Sequence, residues 1–243
     1  MKNSELRNIS KEKMKGKFGK SILYVILYML IVGILSITPA GAVLGIPLGF
    51  GIAKMLVLYE EGKDVKSFDF FKHGMDNFGN AWCTYLLMYL KCFGTMALTF
   101  FGFIMSGISE DLFLVIVGSV VGIFGFIWSI HIVLKYSLIN YEIIYNPKLK
   151  ARELMKKCAK DMKGKKWKVA RMYIYYGLCI ILSAVIFGVL INVITNIIQA
   201  EVLSVLLTFV AILFSYIIVV LIQPQMIVAL NELYKDITNE RNI

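Results

Sequence analysis

The stretch NPKLKARELMKKCAKDMKGKKWKVAR, residues 146–171, decides the fold. Asn146 is a favourable N-cap, Pro147 suits the first position of a helix, and Gly164 can end one. Between them, apolar residues recur every three or four positions, which is typical of one helical face. These residues are Ala151, Leu154, Met155, Cys158, Ala159 and Met162. The sequence therefore predicts a helix over 147–163.

The opposite face of this predicted helix is basic. It carries Lys150, Arg152, Lys156, Lys157, Lys160 and Lys163. Long apolar runs precede and follow the stretch, and this context favours a helix in the membrane interface with its cations toward anionic headgroups. The alternative is a helix of a soluble protein that faces a core, which the flanking apolar runs disfavour.

Composition places the chain among membrane proteins. Hydrophobic residues make up 58% of the 243 residues, charged residues only 17%, and the mean hydropathy is +0.73. A soluble domain of this length cannot bury so much apolar surface. The net charge of +10 sits in short segments between apolar runs, so membrane topology explains it and we expect no nucleic-acid partner. The predicted fold is all-α, a polytopic membrane protein with six transmembrane helices in three hairpins and cytoplasmic interfacial amphipathic helices.

Six apolar runs are long enough to cross a bilayer. They cover 22–37, 43–58, part of 81–109, 112 to about 135 with a helix continuing to 145, 172–194, and 202–222 with a helix continuing to about 236. Nearly all Lys and Arg lie in the segments 1–20, 59–80, 135–171 and 231–243. The three short turns that join the first run to the second, the third to the fourth and the fifth to the sixth hold none. The positive-inside rule then predicts that both termini lie in the cytoplasm.

An internal repeat supports this layout. Residues 5–6, Glu-Leu, recur at 153–154, and residues 14–17, Met-Lys-Gly-Lys, recur at 162–165 with the same offset. A fainter echo relates Phe18-Gly19 to Phe78-Gly79. The sequence predicts one membrane domain, 1–243, of three units, 1–60, 61–146 and 147–243, each an interfacial helix followed by a two-span hairpin.

Glycines spaced by four predict close helix packing. Gly41, Gly45 and Gly49 lie in the second apolar run, and Gly118 and Gly122 lie in the fourth. For the second run, a broken helix that lines a site is the alternative.

Little in the sequence indicates catalysis. The chain has two histidines, no nucleophile or metal-binding motif, and four cysteines without C-x-x-C spacing, so we expect neither an enzyme nor a cofactor. Polar residues within or near apolar runs are the candidates for function: Lys91, His131, Asn192, Gln223 and Gln225. Lys91 either lies in mid-membrane or snorkels to the inner surface, and the second interpretation is favoured.

The chain resembles a family of six-span bacterial membrane proteins catalogued as a domain of unknown function. The resemblance rests on Ser4-Glu5-Leu6, on Ala151, Glu153, Met162 and Gly164, and on Pro224 with Tyr234, with Cys158 where serine is more usual. It covers nearly the whole chain and implies a Gram-positive plasma-membrane protein. The chain is also distantly similar to the membrane region of glycerophosphodiester phosphodiesterases. Neither resemblance supplies a reaction or a functional residue.

The sequence is compatible with two functions. The first is a non-enzymatic accessory or protective module that binds anionic lipid headgroups, and possible partners are another membrane protein or a membrane-active peptide. The alternative is a small channel or transporter for an anionic or small polar solute. A water-connected cavity that reaches Lys91 would favour transport, whereas a packed bundle with exposed basic helices would favour the module.

Overall fold

The computed structural model describes residues 1–109, 111–198 and 201–239, apart from the side chains of 42, 190–208, 211–212 and 239. These residues form helices and no strand, which confirms the all-α class. The helices are α1 (Asn3–Met14), α2 (Phe18–Ser36), α3 (Pro39–Glu60), α4 (Asp69–Asp76), α5 (Phe78–Ile108), α6 (Leu112–Tyr136), α7 (Ile139–Tyr145), α8 (Ala151–Asp161), α9 (Lys166–Ile198) and α10 (Glu201–Asn239).

Six helical segments are long and apolar enough to cross a membrane, as predicted. One segment each lies in α2, α3, α5, α9 and α10, and α6 together with α7 forms the remaining one. Neighbours in sequence pack together, α2 with α3, α5 with α6, and α9 with α10. The short helices cover one end of this bundle: α4 packs on α3, α1 on α10, and α8 on α5, α6 and α7. We call the end that holds α1, α4, α7 and α8 the basic end.

The helix in residues 146–171, α8, begins later than the sequence predicts. Its N-cap is Lys150, whose backbone N–H donates to Glu153 Oε2 at 3.1 Å. Asn146 instead follows α7, and its side-chain amide donates to Glu142 Oε2 at 3.2 Å. The predicted cap at Asn146 and start at Pro147 are therefore wrong, because the Asn146 side chain is bonded to Glu142 while Glu153 satisfies the cap at Lys150.

The apolar face of α8 is buried inside the protein. Leu154, Met155, Cys158 and Met162 are each at most 4% exposed and belong to one cluster with residues of α6, α7, α9 and α10. A helix with this face packed on its own bundle cannot turn the same face to lipid. Its contribution to the hydrophobic core, rather than insertion into a bilayer, holds α8 in place.

The same hydrogen bond lies at the N-caps of α1 and α8 and in the turn just before α4. The backbone N–H groups of Lys2, Lys66 and Lys150 each donate to the carboxylate three residues later, at 2.8, 2.8 and 3.1 Å. The following residue is fully or almost fully buried in each case, and so is a small residue four positions further on. These pairs are Leu6 and Ser10, Phe70 and Gly74, and Leu154 and Cys158.

One further helical boundary differs from the sequence prediction. The helix after the fourth apolar run does not continue without a break, since α6 ends at Tyr136 and α7 begins at Ile139. Phe68, just before α4, and Phe71 within it are 61% and 42% exposed. The buried face is that of Phe70 and Gly74, because Gly74 lets the helix approach the backbone of α3.

Close packing occurs at some of the predicted glycines. At Gly118 and Gly122, an added Cβ would meet atoms of α5. At Gly49 it would lie 3.4 Å from the Tyr28 hydroxyl, and at Gly41 it would meet the backbone at the end of α2. Gly45 is a correction: among the described residues no atom lies within 4 Å of an added Cβ, so the predicted close contact is wrong there.

Candidate anion-binding pocket

A pocket of about 360 Å³ lies at the basic end, where α5, α6 and α8 meet. Four cationic side chains line it, and they come from three helices: Lys91 of α5, Lys135 of α6, and Arg152 and Lys156 of α8. Residues four apart on a helix share one face, which explains why Arg152 and Lys156 reach the same pocket. Apolar residues complete the wall, namely Leu87, Met155 and Ala159, together with Tyr136.

Lys91 is held by an aromatic residue of the next helix. Its Nζ donates a hydrogen bond of 2.9 Å to the hydroxyl of Tyr136, which is 3% exposed and ends α6. The ammonium groups of Lys91 and Lys135 lie 5.1 and 5.6 Å from the centre of the same ring, within cation–π range. Tyr136 is the last residue of α6, so Lys91 lies beside the end of that helix, and its snorkelling to the membrane surface stays a prediction.

The pocket carries an uncompensated positive charge. No aspartate or glutamate lines it, and within the described chain none of its four cations forms an ion pair with a carboxylate. Elsewhere at the basic end cations do pair, as Lys13 does with Glu60 at 2.6 Å. Four like charges in one small volume repel each other, and an anion that enters would relieve this repulsion.

The predicted basic face of α8 is divided among three environments. Arg152 and Lys156 line the pocket, and with Lys150 they also line an adjoining cleft against the start of α5. Lys160 and Lys163 are exposed. Lys157 is a correction: its Nζ lies 3.0 Å from Oε2 of the buried Glu142, so it forms an internal ion pair rather than facing headgroups.

The other polar candidates lie apart from the pocket. His131 is exposed on α6, and its Nε2 lies 2.7 Å from Lys166 Nζ of α9. Oε1 of Gln223 is buried with no hydrogen-bond partner among the described residues. Gln225 is half-buried beside Pro224 in α10. Asn192 lies outside the described side chains, so its predicted role stays a prediction.

Sequence reasoning missed two polar residues of the pocket, Lys135 and Tyr136, and a separate polar network around Lys13. Lys135 and Tyr136 both lie at the end of the fourth apolar run, where a lysine and a tyrosine are typical of a membrane interface. In the network, Lys13 bridges Glu60 and Glu232. Burial alone would lower the pKa of Lys13, but hydrogen bonds to both carboxylates and their charges raise it overall.

A search of protein-family models, of curated proteins and of solved structures finds no match to this chain.

Proposed function

We propose that the chain is a non-enzymatic accessory protein of the plasma membrane that binds anionic lipid headgroups at its basic end. The observation that carries the proposal is the pocket of Lys91, Lys135, Arg152 and Lys156, which among the described residues is lined by four cations and no carboxylate. Lysine and arginine near a membrane surface attract anionic lipids, by about 1 kcal/mol for each residue. The resemblance to uncharacterised six-span bacterial proteins is compatible with such a role.

The proposed arrangement has three units, each a short amphipathic helix followed by a hairpin of two spans. The matching hydrogen bonds at the N-caps of α1 and α8 and just before α4 support this division, as does the packing of α2 on α3, α5 on α6 and α9 on α10. The concentration of lysine and arginine at one end supports a cytoplasmic location for that end and for both termini. The pocket would then face the inner leaflet, where anionic lipids occur.

The position of Lys91 favours binding over transport. A channel or transporter for anions would use a cation part-way along the membrane path. Lys91 instead contacts Tyr136 at the end of α6, and its pocket is lined by residues of the short helix α8. These contacts fit a surface site for a headgroup.

Lipid retention tests the proposal. The full chain is extracted in a neutral detergent from membranes that contain anionic and zwitterionic lipids, and the lipids that co-purify are quantified per protein. Replacement of Lys91, Arg152 and Lys156 by glutamine should remove most of the retained anionic lipid. A charge-matched control replaces the exposed Lys11, Lys15 and Lys72, which lie on α1, just after it and on α4. Equal retention of anionic lipid by both variants would contradict the proposal, and a co-purifying protein in its place would identify a protein partner.

A further inference from the structure

We propose that the ligand of this pocket is a polyanionic lipid headgroup, a phosphomonoester or a diphosphate, rather than a singly charged phosphodiester. The inference rests on the proposed function and specifies its ligand. It follows from the number of cations that line one small volume, from the kinds of hydrogen-bond donor they provide and from the apolar surface beside them.

The positive charge of the pocket matches a ligand that carries more than one negative charge. Lys91, Lys135, Arg152 and Lys156 all line a volume of about 360 Å³. A phosphodiester headgroup carries one negative charge and would leave most of this charge uncompensated. A phosphomonoester carries about −1.5 to −2 charges near neutral pH, and a diphosphate carries more.

The pocket is lined by donors of the kinds that bind a phosphate group. The guanidinium of Arg152 can bind two phosphate oxygens at once, whereas the ammonium groups of Lys91, Lys135 and Lys156 act as point charges around it. The Tyr136 oxygen accepts its hydrogen bond from Lys91, so the phenolic O–H can donate to an anion. A phosphomonoester offers three terminal oxygens to these donors, and a diester offers only two.

The surface beside the pocket indicates that the anion is attached to a lipid. Leu90 and Phe93 flank Lys91 in α5 and are 61% and 71% exposed. This part of α5 belongs to a segment that is apolar enough to cross a membrane. Acyl or isoprenoid chains can therefore lie along α5 while the phosphate reaches Lys91. A free phosphate compound would gain nothing from these apolar residues.

A competition experiment on the full chain in a neutral detergent tests the inference. The protein is titrated at pH 7 with a fluorescent phosphatidic acid, and the bound probe is displaced with unlabelled lipids of one chain length. We expect phosphatidic acid to displace the probe about tenfold more effectively than phosphatidylglycerol, and phosphatidylcholine to have little effect. Replacing Lys91 and Lys156 by glutamine should weaken probe binding about tenfold or more. Replacing the exposed Lys11 and Lys72 should change it less than about twofold.

Three results would overturn the inference, and they are distinguishable. Equal displacement by phosphatidic acid and phosphatidylglycerol would leave the proposed function intact but remove the preference for a polyanion. Displacement by inorganic pyrophosphate as effective as by phosphatidic acid would show that the ligand is a free phosphate compound. Probe binding that none of the anionic lipids displaces would contradict both the inference and the proposed function. Thermal unfolding midpoints confirm that each variant is folded, and a Tyr136→Phe variant, which keeps all four cations, should show a smaller but measurable loss of affinity.

Discussion

The side-chain amide of Asn231 on α10 donates a hydrogen bond of 3.0 Å to Oε2 of Glu60, the last residue of α3. The other oxygen of Glu60 accepts from Lys13 of α1 at 2.6 Å. Both Asn231 and the Glu60 side chain are almost fully buried. One carboxylate thus joins three helices that are distant in sequence, and it fixes α1 against the end of the bundle.

Glu60→Gln should destabilise the protein by about 1–3 kcal/mol, which is less than for a fully buried pair because Lys13 remains partly exposed. The substitution places an amide N–H₂ against either Lys13 or Asn231, which are both donors. The measurement is the thermal unfolding midpoint in a neutral detergent. Glu12→Gln, at an exposed position of α1, is the control and should change little. A Glu60→Gln variant as stable as this control would contradict the role of the network.

Gly102→Ala should destabilise the contact between α5 and α6. An added Cβ at Gly102 would collide with backbone atoms of Gly118 and Gly122, and backbone cannot move aside as a flexible side chain can. Gly45→Ala is the matched control, because it changes a helical glycine where the described residues leave space. It should be neutral or stabilising by up to about 1 kcal/mol through helix propensity. Similar unfolding midpoints for the two variants would show that the close approach of α5 and α6 is unimportant.

His73 should make the protein less stable at acidic pH. Partial burial, and then the charge of Lys54, lower the pKa of His73 in the folded chain. The unfolded chain, with a histidine pKa near 6.5, therefore binds the proton more readily, so stability is lost as the pH falls below about 6.5. We expect His73→Gln to reduce the loss of unfolding midpoint between pH 7 and pH 5. An unchanged pH dependence in this variant would show that other groups cause the loss.

Cys158→Ser should be tolerated, whereas Cys158→Phe should not. Cys158 is 1% exposed in the core under α8, and its Sγ donates to the carbonyl of Lys135 at 3.6 Å. Ser10 occupies the corresponding buried position of α1, which shows that a hydroxyl fits this type of site. Phenylalanine would overpack the core, at a cost of about 1–3 kcal/mol. Burial also raises the pKa of the Cys158 thiol, so a maleimide should react with the exposed Cys83 and spare Cys158 until unfolding.

The sequence predicts local helices well because their signals are local. The apolar runs gave six membrane-length segments, and the alternation of Leu154, Met155 and Cys158 with lysines gave the face of α8 that is buried. The partner of that face was not predictable in this way. An amphipathic pattern identifies an apolar stripe, but it does not distinguish a lipid surface from the protein's own core.

Tertiary structure decides which residues line the pocket, so the sequence alone does not predict them. Lys91 and Arg152 were candidates for separate reasons, and nothing in their spacing indicates that they line one cavity. Lys157 lies beside Lys156 in sequence, yet it pairs with Glu142 while Lys156 lines the pocket. Neighbouring residues on a helix point about 100° apart, so the orientation of α8 on the bundle decides which cations are neutralised.

Cysteine labelling in intact cells tests the proposed orientation. Single cysteines at Lys156 and at Ser109 are introduced into a chain whose four native cysteines are serine. Lys156 lies on α8 at the basic end, whereas Ser109 follows α5 at the opposite end of a helix of 31 residues, about 46 Å long. Positive charge near the spans retains a segment in the cytoplasm, so a membrane-impermeant maleimide should label Ser109→Cys in intact cells and Lys156→Cys only after lysis. Labelling of Lys156→Cys in intact cells, with none of Ser109→Cys, would reverse the orientation and place the basic pocket outside. In that case the pocket could not meet the anionic lipids of the inner leaflet, and the function proposed for it would fail even if the fold is correct.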